Sequence, residues 1–152
     1  MRQYVFAKRA TLEEIMILKG LTLHRTPHTP HYYGFLPKGT GRYHTLLMSK
    51  SPGVDLSQLP VSEWRKNPNF LRDLKTQITP ALRTLQEQFG LYHNDLDAGW
   101  RRNIMYDPDT RTFTVIDFGK MRLLRKGDDY RKQVDDLVAR AAKVMQETTR
   151  RR

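Results

Sequence analysis

The sequence of 152 residues contains no cysteine, which excludes disulfide bonds and thiolate metal sites. It has no apolar run near the roughly 18 residues that a membrane-spanning helix needs, and its N-terminus lacks the apolar core of a signal peptide. Internal repeats and low-complexity stretches are also missing. These absences predict a soluble protein with no membrane partner and an intracellular location, without indicating the compartment.

Acidic side chains are scarce relative to basic ones. The chain has 27 lysine and arginine residues against 16 aspartate and glutamate residues, so its formal net charge is +11. Such a charge favours anionic partners, which include nucleotides, nucleic acid and acidic protein surfaces. The length suffices for one hydrophobic core, and we expect a single domain over residues 1–152.

The chain opens with a strand that leads directly into a helix. Tyr4–Lys8 is rich in β-forming residues, and the pattern from Thr11 to Glu14 is typical of a helix start. Thr11 and Glu14 match a capping box, in which the Glu14 side chain would accept backbone N–H groups. In this interpretation the Lys8 side chain is simply solvated.

Two further patterns organise the middle of the chain. Residues 31–37 and 42–48, separated by Lys38-Gly-Thr-Gly41, predict a β-hairpin. Apolar residues at three- and four-residue steps predict a long helix that starts at Asn67-Pro68 and stops at Gly90. This helix leads into the stretch His93–Gly119, which ends in a strand-like run followed by Asp-Phe-Gly.

That stretch holds the residue types that phosphoryl transfer requires: a carboxylate near the attacking hydroxyl and oxygen ligands for Mg²⁺. Asp95 would orient the nucleophile and accept its proton. Asn103 would bind metal through its amide oxygen, and Asp117 would bridge metal and nucleotide phosphate. His93 is expected to be a structural hydrogen-bonding residue. Each could be an ordinary loop residue by itself, but their order between the helix, the turn and the strands favours a shared site.

This order resembles the protein-kinase-like superfamily, and in particular small fungal kinase-like proteins, whose loops often read His-Asn-Asp-Leu followed by Arg-Asn. The likeness covers Lys8 to about Met145, and the architecture is also similar to minimal bacterial effector kinases. It implies an α+β fold with a reduced N-lobe in residues 1–50, containing one helix, and a truncated, mainly helical C-lobe in residues 51–152.

The resemblance implies ATP and Mg²⁺ as cofactors and assigns further roles. In such a fold a strand lysine pairs with a helix glutamate and holds the α- and β-phosphates, which implies Lys8 and Glu14. The hinge would follow the predicted hairpin, with Met48 as gatekeeper and with Ser49 and Ser51 offering backbone contacts to adenine.

The chain departs from the family pattern in three places. Asp95 and Asn103 are eight residues apart, a wider spacing than usual, so Ala98-Gly99-Trp100 must form a bulge if both are to reach one metal. Asp97 stands where Ser/Thr protein kinases commonly carry lysine. No glycine-rich loop precedes Lys8, although that loop normally covers the phosphates.

Apolar residues from Val134 to Met145 predict a last helix. Asp135 and Asp136 stand near its start, and Asp136 resembles the helix carboxylate that accepts backbone N–H groups of the His93 loop. The alternative is a simple favourable interaction with the helix dipole. The chain ends in the basic run Arg150–Arg152.

We therefore expect an ATP- and Mg²⁺-dependent phosphotransferase of the protein-kinase type with a protein substrate. The alternative is a pseudokinase-like binding module that holds a partner on its basic surface. A nucleic-acid partner is not favoured, because no nucleic-acid-binding motif accompanies Trp100, Arg101 and Arg102 or the basic C-terminus.

Overall fold

The computed structural model describes residues 5–150, with side chains through residue 147. The start of the predicted first strand at Tyr4 and the end of the basic run at Arg151 and Arg152 lie outside the described residues. The strands are β1 (Val5–Thr11), β2 (Tyr32–Leu36), β3 (Tyr43–Ser49), β4 (Val54–Asp55), β5 (Leu91–His93), β6 (Ile104–Asp107), β7 (Thr112–Val115) and β8 (Met121–Leu123). The helices are α1 (Leu12–Leu23), α2 (Val61–Arg65), α3 (Phe70–Phe89) and α4 (Tyr130–Arg150).

The N-terminal part is an antiparallel sheet in the order β1–β3–β2, packed against α1. Strand β1 enters α1 without a loop, because Thr11 ends the strand and also caps the helix by accepting the Glu14 N–H at 3.3 Å. Strands β2 and β3 confirm the predicted hairpin. Helix α1 buries Ile15, Leu18 and Leu21.

The predicted long helix is confirmed as α3. It begins at Phe70, two positions later than Asn67-Pro68 suggested, because Asn67 Oδ1 accepts the Asn69 N–H at 2.9 Å and forms a turn before the helix. Gly90 ends it in the left-handed conformation, with φ of 62°. Helices α1 and α3 approach closely at Gly20, where a Cβ would lie 2.6 Å from Cζ of Phe89 and would displace that ring.

Helix α4 packs on α3 and buries Val134, Leu137 and Ala141, which confirms the predicted last helix. Two smaller sheets, β4–β6–β7 and β5–β8, lie in this part of the chain. Their connections carry the polar residues singled out above: β5 ends at His93, β6 begins after Asn103, and Asp117 follows β7. In the part of the chain that the structure describes, no helix is long and apolar enough to cross a membrane.

Candidate active site

Lys8 and Glu14 form an ion pair at the junction of β1 and α1, with 2.5 Å between Nζ and Oε2. Only half of the capping box forms: Thr11 accepts the Glu14 N–H, while the Glu14 carboxylate bonds Lys8. The Glu14 side chain is 8% exposed and that of Lys8 is 28% exposed, so the pair is mostly sheltered from solvent. Lys8 Nζ also lies 3.5 Å from Oδ1 of Asp117, so the first strand contacts the segment that follows β7.

Asp95 and Asn103 are in direct contact despite their wide spacing in the sequence. Asn103 Nδ2 lies 3.0 Å from Asp95 Oδ2 and 3.0 Å from the Gly99 carbonyl oxygen. The three additional residues form the predicted bulge, which runs into a short 3-10 turn at Trp100–Arg102. Trp100 is buried with its ring in edge contact with Trp64, at 6.1 Å between centroids. The bulge is therefore anchored in the core.

Gly99 is the residue that permits this close arrangement. A Cβ at Gly99 would lie 2.8 Å from the Asp95 carbonyl oxygen and 3.2 Å from Asn103 Nδ2. The first distance is shorter than real Cβ contacts, so a side chain here would push the two candidate residues apart. The loop thus depends on the absence of a side chain at one position.

Asp117 has a left-handed backbone with φ of 62°, which is uncommon for a residue other than glycine. Its Oδ1 accepts the Gly119 N–H at 3.3 Å while lying near Lys8. The next residue, Phe118, is buried against the His93 ring, with 5.6 Å between centroids. Packing of Phe118 thus holds the neighbouring Asp117 carboxylate towards the cleft. Backbone strain of the kind seen at Asp117 is often found at functional sites.

His93 is fully buried and confirms its expected structural role. Its Nε2 lies 3.3 Å from the Ile116 carbonyl oxygen, and because that oxygen can only accept, Nε2 carries the proton. Burial lowers the pKa of His93 below its ordinary value. The neutral His93 ring therefore donates a hydrogen bond to Ile116, just before Asp117, and links the two loops.

The residue that braces the His93 loop is Gln133, and the prediction for Asp136 is wrong. Gln133 is buried, and its Nε2 donates to the His93 carbonyl oxygen at 2.9 Å. Asp136 is exposed and makes no hydrogen bond to the loop in the described residues. The physical reason is helix phase: Gln133 shares a face with Leu137 and Ala141, whereas Asp136 points to solvent. A polar residue in register with an apolar stripe was the signal that sequence reasoning missed.

Asp97 completes this network instead of facing the cleft. It accepts the Tyr92 hydroxyl at 2.9 Å and the Gln133 amide at 3.3 Å. Burial, reinforced by Asp97, raises the pKa of Tyr92, so the hydroxyl stays a donor. Arg140 donates to the Asp97 carbonyl oxygen at 2.6 Å. The unusual carboxylate at this position is therefore used to hold the loop.

A cleft of about 390 Å³ lies between the N-terminal sheet and the central loop. This volume is within the usual size of small-molecule sites. Its lining includes six predicted residues: Lys8, Met48, Ser49, Ser51, Asn103 and Asp117. Asp95 and Glu14 adjoin it through their bonds to Asn103 and Lys8.

The apolar side chains that sequence reasoning missed are Phe6, Met105 and Ile116. Phe6 is two positions before Lys8, and Met105 two after Asn103, so strand alternation was the signal.

The residues at one end of the cleft fit a magnesium ion held together with a nucleotide. Mg²⁺ is usually bound by one or two protein oxygens together with substrate phosphates and water. Asp117 supplies a carboxylate, and the Oδ1 of Asn103 has no hydrogen-bond partner in the described part of the chain while Nδ2 is engaged. No group of three or more His, Cys, Asp or Glu residues with metal-site geometry occurs among residues 5–150. An ion here would need the phosphates to complete its shell.

No protein-family model matches the chain, and no curated protein matches it. Among solved structures, it is similar to the kinase PK-1 of the Cydia pomonella granulovirus, with a TM-score of 0.65 and 18% sequence identity. The similarity covers 86% of this chain and 47% of the viral chain, so this chain spans about half the length of the solved kinase that it matches. At this identity the likeness shows the fold alone. The chain has a reduced kinase-like α+β fold.

Proposed function

We propose that this protein is an ATP- and Mg²⁺-dependent phosphotransferase that acts on a protein hydroxyl. The observation that carries the proposal is the convergence of Lys8, Asn103 and Asp117 on one end of the cleft, with Asp95 bonded to Asn103. Lys8 and Asp117 are 109 positions apart, and their contact requires both parts of the fold. These residue types are those that position a triphosphate and a hydroxyl nucleophile.

The nucleotide would enter between the sheets, with the adenine between apolar side chains contributed by Phe6 and Met105. The backbone of Ser49 and Ser51 would hydrogen-bond the base edge. Lys8, fixed by Glu14, would hold the α- and β-phosphates as a cation already positioned for them. The binding energy would therefore come from both lobes.

Asp117 and the Oδ1 of Asn103 would hold the metal ion. Mg²⁺ supplies positive charge that neutralises the phosphate oxygens as the bond to the leaving group breaks. Asp95 is held through Oδ2 by Asn103, and its Oδ1 makes no hydrogen bond in the described residues. In the transfer, the substrate hydroxyl oxygen forms the new bond to the γ-phosphorus, the bond to the β–γ bridging oxygen breaks, and the hydroxyl proton passes to Asp95.

The test compares the wild type with Asp95→Asn in the presence of Mg²⁺ and ATP, by measuring phosphoprotein formation. Removal of the base should lower turnover about 10²- to 10⁴-fold. The matched control is Asp109→Asn, an exposed carboxylate in the turn between β6 and β7, which should retain full activity. The proposal fails if the wild type forms no phosphoprotein, or if its turnover equals that of Asp95→Asn.

A second candidate function is a non-catalytic binding module. The observation in its favour is that no strand beyond β1 covers the phosphate end of the cleft in the described residues. Thermal unfolding with ATP and Mg²⁺ separates the two, since ligand at 100 times Kd stabilises the folded state by about 2.7 kcal/mol. An unchanged melting temperature at millimolar nucleotide would favour the binding module.

A further inference from the structure

Among the described residues, strand β1 lies at one edge of its sheet. Its seven residues pair with β3 on one side, and β3 is its only strand neighbour in the described residues. On the other side, alternate backbone N–H and C=O groups have no hydrogen-bond partner in the described part of the chain. The side chains of Val5 and Phe6, on opposite faces of the strand, are 57% and 45% exposed. Such an edge can accept another strand.

A depression of about 560 Å³ lies on the sheet beside β1. Its charged lining is entirely basic and comes from β1 and the β2–β3 turn region: Lys8, Arg9, Lys38 and Arg42. The guanidinium of Arg9 lies 4.0 Å from the Tyr43 ring centroid, and that of Arg42 lies 5.8 Å from it. Arg9, Lys38 and Arg42 form no ion pair with any described residue. Carboxylates placed here would relieve the repulsion between neighbouring cations.

We propose that this edge and this depression together bind an extended acidic segment of a partner protein. The segment would add to β1 as a strand, so that main-chain hydrogen bonds supply affinity. Every second side chain of an added strand would face the same side as Ala7 and Arg9. Acidic residues at these positions would lie on the depression and pair with Arg9 and Arg42.

The charge pattern argues against a second copy of the chain as the occupant. Two β1 strands paired across a two-fold axis would bring Lys8 and Arg9 of one copy beside those of the other. Each copy also carries a formal charge of +11, which opposes self-association. Nucleic acid could use the cations but has no strand backbone to pair with the edge. An acidic polypeptide satisfies both features.

The probes are labelled eight-residue peptides, one of alternating glutamate and valine and one of alternating glutamate and proline. They carry the same charge, but proline has no N–H to donate to a strand edge. The glutamate–valine peptide should bind at least about tenfold more tightly, because its backbone N–H groups can donate to the strand edge. It should also slow amide hydrogen exchange in residues 5–11.

The depression is tested by the double variant Arg9→Glu with Arg42→Glu, which should weaken the glutamate–valine peptide by about tenfold or more through lost charge-assisted contacts. The matched control is Arg72→Glu with Lys143→Glu, which changes the net charge equally on exposed parts of α3 and α4. It should bind as the wild type does. These measurements do not use catalysis, so they succeed or fail independently of phosphotransfer.

Three results would overturn the proposal. Equal affinity for the two peptides, or unchanged exchange in residues 5–11, would mean that charge alone attracts the peptide. Equal weakening by both double variants would mean that the depression has no special role. Tighter binding of single-stranded oligothymidylate than of the glutamate–valine peptide, again without protection of β1, would assign the cations to nucleic acid.

Discussion

The two walls of the cleft differ in how firmly the structure holds them. The wall formed by the His93 loop is buried and hydrogen-bonded: Asn103 joins Asp95 to Gly99, and Gln133 joins His93 to Asp97. The opposite wall is formed by β3 and by β1, which is an edge strand among the described residues, and there Lys8 is fixed by its pair with Glu14. Under the proposed function, the catalytic base Asp95 and the metal ligand Asn103 are already held in place, whereas few described residues cover the phosphates.

The largest effect is expected at Asp117, where the two walls meet. Asp117→Ala should lower phosphotransfer by about 10³-fold, because it removes the metal carboxylate and the contact to Lys8. It should also abolish any increase in ATP affinity caused by Mg²⁺, measured by nucleotide titration with and without the ion. Retention of a full Mg²⁺ effect would show that the metal is held elsewhere and that the walls do not meet at this residue.

Gly99, in the His93-loop wall, is compared with Gly41, which lies in the β2–β3 connection outside the lining of the cleft. Gly99→Ala should lower turnover by about 10- to 100-fold, because a Cβ 2.8 Å from the Asp95 carbonyl oxygen displaces the base. The control is Gly41→Ala, where the nearest atom to a Cβ is the Lys38 carbonyl oxygen at an ordinary 3.7 Å. Equal losses of turnover in the two variants would show that the His93-loop wall is no more sensitive to a side chain than a turn outside the cleft.

The bracing role of Gln133 has a measurable effect on stability. Gln133→Leu should lower the free energy of unfolding by about 1–3 kcal/mol, because the buried His93 carbonyl oxygen loses its donor. Urea unfolding measures the change. Asp136→Asn, three positions away on an exposed site, should leave stability within about 0.5 kcal/mol of the wild type. A larger loss for Asp136→Asn than for Gln133→Leu would restore the original assignment.

The smallest effect is a pH dependence at His93. Because burial lowers its pKa in the folded state, the unfolded chain binds the proton more readily, and stability falls as the pH drops below the unfolded value of about 6.5. The maximum slope is about 1.4 kcal/mol per pH unit. His93→Gln should reduce this dependence between pH 7 and 5 in urea unfolding. An unchanged slope in the variant would assign the effect to other groups.

Most helices and strands were predictable because their signals are local. The apolar period of α3 and the turn residues of the hairpin lie within one element each, and both predictions are confirmed. The bulge at Ala98–Trp100 was also predicted, but its anchoring on Trp64 was not, because that contact joins distant parts of the chain.

The candidate site divides in the same way. The order of residues in the sequence identified Asp95, Asn103 and Asp117 as candidates. That Gln133 rather than Asp136 contacts the His93 loop depended on the rotation of α4 about its axis. That rotation is set by packing on α3, and the signal for it was that Gln133 is in register with the apolar stripe of Leu137 and Ala141. Whether the Glu14 carboxylate caps the helix or pairs with Lys8 depended likewise on where the Lys8 side chain lies.

The ion pair of Lys8 with Glu14 spans six positions, whereas Lys8 and Asp117 are 109 apart. The entropy lost on closing a loop rises with the logarithm of its length, so the short contact costs little and can form before the rest of the chain is folded. Thr11 joins β1 to α1 without a loop, so the strand lysine and the helix glutamate belong to one continuous segment. The contact of Lys8 with Asp117 instead joins the N-terminal part to the segment after β7, so a change in the opening of the cleft would alter that distance.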